Sequence, residues 1–143
     1  MWARDDERAK DRGSVSVELT LITPLLITLV LLAVGVGRLA GARLDVEDAA
    51  HQAARAASRA RSFDEARGAG QQMANEALSQ AGTSCPQPET NVDTDAFHPG
   101  GQVVVTVSCT VALADLSAVP LPGHQTITAA FTAPLDTYTS DTP

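Results

Sequence analysis

The stretch Leu19-Thr20-Leu21-Ile22-Thr23-Pro24-Leu25-Leu26-Ile27-Thr28-Leu29-Val30-Leu31-Leu32-Ala33-Val34-Gly35-Val36-Gly37 decides the architecture of this chain. It contains no Asp, Glu, Lys, Arg or His, and as a helix at 1.5 Å per residue it extends roughly 28 Å, close to the hydrocarbon thickness of a bilayer. Its length exceeds the apolar region of an ordinary secretory signal, although Ala40-Gly41-Ala42 has the small-residue form of a cleavage site. The run is therefore read as a transmembrane helix over 14–37, with Pro24 introducing a kink that neighbouring groups in a membrane helix can absorb.

Immediately before the run stands Arg12-Gly13-Ser14-Val15-Ser16-Val17-Glu18. A carboxylate at the lip of an apolar span costs far less than one at the bilayer centre, so Glu18 could sit there without a role. Its spacing gives it one. A cut after Gly13 would expose an amine on Ser14, mostly cationic at neutral pH. A neighbouring helix shifted by one register could pair that amine with its own Glu18, and in a low-dielectric bundle such a pair selects register more than it adds stability. Gly13 and Ser14 are the candidate processing site and Glu18 the candidate register residue.

Residues 1–13 balance Arg4, Arg8, Lys10 and Arg12 against Asp5, Asp6, Glu7 and Asp11. The positive-inside rule counts the cations, which favours a cytoplasmic leader. Beyond the span, Leu39, Ala42, Val46, Ala49, Ala53, Ala56 and Ala60 recur at gaps of three and four, a heptad seam of small residues. The seam fits equally a helix packed on its own domain and a helix packed on partners. No turn signal apart from Gly35, Gly37 and Gly41 separates it from the span, so one helix is expected from about Ser14 to Arg61, half of it in the membrane and half in a helical stalk over 38–82 that breaks near 62. Ser62-Phe63-Asp64-Glu65 has capping-box spacing and opens a second helix carrying Phe63, Ala66, Gly70, Met73, Ala77 and Ala81 on one side and stopping at Gly82.

From Thr83 the composition turns to Pro, Thr, Asp and Val, and the period turns from helical to alternating. Val103, Val105, Val107, Cys109, Val111 and Leu113 share one strand face. After Pro120-Leu121-Pro122-Gly123, a second strand places Ile127, Ala129, Phe131, Ala133 and Leu135 on one face and Thr126, Thr128 and Thr132 on the other. A weaker strand runs from about Thr90 to Phe97, before the turn His98-Pro99-Gly100-Gly101. The expected fold class is α+β: a long N-terminal transmembrane and stalk helix, a second short helix, and a small antiparallel three-stranded β-sheet. The β-rich domain occupies 83–143, is extracytoplasmic if the leader stays inside, and ends in a flexible C-terminal tail.

Cys85 and Cys109 both lie on that side of the span. In an oxidising compartment an even pair reads as one disulfide closing a loop of about 25 residues, worth roughly 3 kcal/mol in the chain-entropy model; the other reading is two buried thiols. A formal charge of −7 with no basic residue after Arg67 argues against a nucleic-acid partner. His51, His98 and His124 lack metal-site spacing, no nucleophile context is visible, and Asp93-Thr94-Asp95 lacks the glycine and terminal Glu of a calcium loop. Neither a cofactor nor a metal nor a catalytic residue is expected. Gly35-Val36-Gly37-Arg38-Leu39-Ala40 spells a dinucleotide fingerprint, but it closes an apolar span instead of following a strand. Gly37 and Gly41 also form a GxxxG motif at the membrane edge.

A leader ending in Gly, a small residue after it, Glu five positions beyond that Gly and an uninterrupted apolar helix resemble the type IV prepilin signature. The finer resemblance is to TadE-like proteins of tight-adherence (Flp) pilus systems, carried by Arg12-Gly13-Ser14, Val17-Glu18, Pro24-Leu25-Leu26, Gly37-Arg38, the Ala-Ala-Arg-Ala-Ala of Ala53 to Ala57, and the segment from Leu121-Pro122-Gly123 to Leu135-Asp136. The resemblance implies a non-catalytic pseudopilin, minor pilin or assembly factor in the cytoplasmic membrane, trimmed by a prepilin peptidase. Its implied partners are the membrane, other pilin-like subunits and the pilus assembly machinery, met through the N-terminal helix. The reading from a different class is an anchored or secreted acidic binding module of the cell envelope.

Overall fold

The computed structural model describes residues 4–83, 85–116 and 122–137, with side chains described in the first helix from Val17 onward. Residues 138–143, at the end where the C-terminal tail is expected, and Pro120 and Leu121 of the expected turn lie outside the described residues. The first helix, α1, is unbroken from Arg4 to Ala57 and passes through Pro24. It thus begins inside the expected leader and ends four residues before Arg61. Its end tightens into three-residue hydrogen bonds, with Arg59 N–H donating to Ala56 O (3.3 Å) and Ala60 N–H to Ala57 O (3.2 Å).

The second helix, α2 (Phe63–Ala81), starts where Ser62 Oγ accepts from Glu65 N–H at 3.2 Å. Glu65 reaches back past the cap residue: its carboxylate accepts from Arg61 N–H at 2.9 Å instead of from Ser62. The helix stops at Gly82, whose φ of 70° is the left-handed cap conformation that a side chain would oppose. Ala66, Gly70, Ala74 and Leu78 form its buried ridge. Ala74 and Leu78 replace Phe63 and Ala81 of the expected face, both of which are exposed. A Cβ added to Gly70 would stand 2.8 Å from Val92 Cγ2 and 3.6 Å from Ala57 Cβ, so this glycine permits the close approach of α2 to α1 and the sheet.

Strands β1 (Glu89–Asp93), β2 (Gln102–Ala112) and β3 (His124–Pro134) form one antiparallel sheet in that order, and the short helix α3 (Leu113–Leu116) follows β2. Leu113, expected on the strand, opens α3 instead. The register pairs Val92 with Val105, and Val105 in turn with Phe131, so alternation puts Val103, Val105, Val107, Cys109 and Val111 on a single face. All five are buried. Two layers result, with the helices on that face, α1 chiefly over β2 and β3 and α2 beside α1 over β1. His51 of α1 meets Phe131 of β3 edge-on at 4.3 Å, and Phe63 meets Phe97 at 5.5 Å. The other sheet face carries cross-strand hydroxyl pairs, Ser108–Thr128 and Thr110–Thr126, each at 3.0 Å.

Cys85, just after α2, is disulfide-bonded to Cys109 on the buried face of β2, with Cα atoms 5.6 Å apart. The bridge ties the exit of α2 to the central strand. At the same end Thr83 Oγ1 donates to Asp45 Oδ2 at 2.5 Å, which fastens that exit to α1 as well.

Candidate functional site: the exposed half of the first helix

The seam expected from sequence is buried within the chain, and its outline differs from the heptad. Ala42, Val46, Ala49, Ala50, Ala53, Ala54 and Ala57 are buried against α2 and the sheet. Leu39, Ala56 and Ala60 are only half-buried, and Ala60 lies past the helix end. The reason is geometric. A straight α-helix drifts about 20° per heptad from a 3.5-residue repeat, so over this length the inward face moves from Ala56 to Ala57. Ala57 stands eighteen residues after Leu39, five full turns at 3.6 residues each. The stripe is also two residues wide, as a helix on a globular core requires, and not the narrow seam of a coiled coil.

Below Leu39 the same helix has no such cover among the described residues. Leu19, Leu21 and Leu32 are 66%, 70% and 67% exposed, and the large aliphatic residues between them are open too. Within the described residues, α1 from Val17 onward is the one helix long and apolar enough to cross a membrane; its most apolar window has a mean hydropathy of 2.5 and no buried residue. Two of its hydroxyls are hidden internally, Thr23 Oγ1 donating to Leu19 O (2.7 Å) and Thr28 Oγ1 to Pro24 O (2.8 Å). Satisfying polar groups within the helix lowers the cost of placing it in hydrocarbon. A helix of this character suggests single-pass membrane anchoring.

Gly13 and Ser14 lie within the continuous helix, and Glu18 is exposed one turn beyond Ser14, at the start of the apolar surface. The backbone of α1 therefore carries all three on one rigid element, and Glu18 is presented outward rather than toward the chain's own domain. Among the described residues, a Cβ at Gly37 or Gly41 would meet nothing within 4 Å, so neither glycine is required there for close packing. The cleft residues Asp45, Thr83 and Asp115, where α1 meets the domain, were not singled out from sequence; no spacing signal joins positions so far apart.

No curated protein and no solved structure matches the chain. A family model does. Residues 13–55, which take in the whole exposed apolar surface of α1 and nearly all of its buried half, match the family described as TadE-like protein.

Proposed function

We propose that the chain is a pilin-like subunit or assembly factor of a tight-adherence pilus or a related secretion system. The family match suggests a pilus-associated protein of structural rather than enzymatic kind. The observation that carries the reading is the division of α1, where one continuous helix is bare and apolar from Leu19 to Gly37 and is built into a domain from Ala42 to Ala57. A bare half of that length offers its surface to lipid during anchoring and to neighbouring helices in an assembly. On this reading the leader remains in the cytoplasm, the β-rich domain is extracytoplasmic, and a prepilin peptidase cuts between Gly13 and Ser14. The new amine of one subunit then pairs with Glu18 of a neighbouring subunit, while Gly37 and Gly41 let helices approach closely.

The test is Glu18→Gln in cells that assemble the filament. Membrane insertion and the thermal unfolding of the domain should stay unchanged, while incorporation into the filament should fall at least about tenfold, the loss expected when one buried charge is left unpaired. Undiminished incorporation would remove the register role. The intact mass of the membrane-extracted protein reports processing independently: a chain beginning at Ser14 supports it, and a chain beginning near Leu44 would show cleavage by signal peptidase instead.

A further inference from the structure

Where α1 passes from its bare half into the domain, a cleft of about 300 Å³ opens between α1, the end of α2 and α3. Its polar walls are ordered along the helix axis. Arg38, the first charged residue after the apolar run, stands at the span end. Asp45 lies two turns higher, about 10.5 Å along the axis, and Asp115 faces the cleft from α3. The C-terminal carbonyl end of α2 at Gly82 completes the upper wall, with no basic residue in the last turn of α2 to offset its partial negative charge. The cleft is thus cationic toward the membrane and anionic away from it.

We propose that this cleft binds the headgroup of an aminophospholipid from the surrounding bilayer, with the phosphate on Arg38 and the primary ammonium on Asp45 and Asp115. The proposal rests on the anchoring reading of α1. Given that reading, the cleft begins at the hydrocarbon edge and rises through a headgroup layer about 5–7 Å thick, where a phosphoethanolamine presents its anion and cation in this same order. An ammonium supplies several N–H donors to the two carboxylates and to the α2 carbonyls, and such charge-assisted bonds are stronger than neutral ones. A trimethylated amine has the charge without the donors, and a glycerol headgroup has hydroxyl donors without the positive charge.

The full chain, extracted in mild detergent, is titrated with phosphatidylethanolamine, phosphatidylcholine and phosphatidylglycerol of identical acyl chains, and bound lipid is read by native mass spectrometry. Phosphatidylethanolamine should be retained about tenfold better than either alternative. The double variant Asp45→Asn, Asp115→Asn should bring that preference near unity; Asn at position 45 keeps an oxygen for the Thr83 hydroxyl, so the domain's unfolding should be unchanged. Arg38→Gln should weaken all three lipids together. Gly41→Leu, at a position where a Cβ meets no neighbour within 4 Å, should fill the cleft and abolish the preference without disturbing the fold. Equal retention by the native chain, or a preference that survives the double variant, overturns the proposal. Recovery of the chain in the soluble fraction of cells overturns the anchoring reading and the proposal with it, whereas recovery in membranes without preference overturns the cleft alone.

Discussion

The two halves of α1 share one backbone conformation and have opposite fates. From Leu19 to Val36 its side chains are mostly Leu, Ile and Val, and they stay uncovered; from Ala42 to Ala57 the inward positions are six alanines and one valine, and all are buried. Hydrophobicity per residue would predict the reverse. Size accounts for the inversion, because alanine lets α2 and the sheet approach the helix backbone, while bulky side chains need a fluid or interdigitating partner. The polar positions Arg43, Glu47, Asp48 and Arg55 on the far side of the upper half, all exposed, complete an amphipathic face that the lower half lacks.

The largest expected effect breaks this comparison directly. Ala53 is fully buried beside Gly70, and Ala53→Asp places an unpaired carboxylate there. Loss of about 3–5 kcal/mol of domain stability is expected, enough to unfold a domain this small. Leu29→Asp, in the bare half, should leave the domain's thermal unfolding in detergent unchanged and instead cost about 2.5–3.5 kcal/mol of membrane insertion. Circular dichroism of the purified variants and a membrane-fractionation assay separate the two. If both variants unfold the domain alike, the bare half is not bare.

Much of this division is legible in the sequence, and its limits have physical causes. The uncharged run, the small-residue stripe, the Ser62 cap, the Gly82 stop and the alternation of β2 all leave local periodic signals. Which partner the stripe would meet has no local signal, because an alanine seam suits a sister helix and a sheet equally. The shift from Ala56 to Ala57 is legible in the helix period, because 3.6 residues per turn and a 3.5-residue repeat diverge over three heptads. Leu78 was hidden because its spacing from Ala66, Gly70 and Ala74 continues a four-residue ridge through small residues that look like filler. The cleft of Arg38, Asp45, Thr83 and Asp115 depends on tertiary contact between α1, α2 and α3 and leaves no trace in spacing.

The disulfide sharpens the contrast at intermediate magnitude. It spans 24 positions and joins only elements of the domain. Replacing Cys85 and Cys109 together with Ser should lower domain stability by roughly 3 kcal/mol, read as a shift of the urea midpoint. Membrane retention of the same variant should not change, since α1 from Val17 to Gly41 makes no use of the bridge.

The smallest effect compares two glycines that sequence alone treats alike. Helix propensity favours alanine over glycine by about 1 kcal/mol at an interior helix position, so Gly37→Ala and Gly70→Ala start with the same gain. At Gly37 the added methyl enters open space, and the gain should stand as unchanged or slightly raised helix stability. At Gly70 it would lie 2.8 Å from Val92 Cγ2, on a β-branched side chain whose χ1 is stiff and whose strand is fixed by pairing with β2. Overpacking of this kind costs about 1–3 kcal/mol, which outweighs the propensity gain and leaves a net loss on the order of 1 kcal/mol. Urea unfolding of the two single variants measures the difference. A stabilised Gly70→Ala protein would mean that β1 can retreat from α2, and that the close approach at this crossing is not required by the fold.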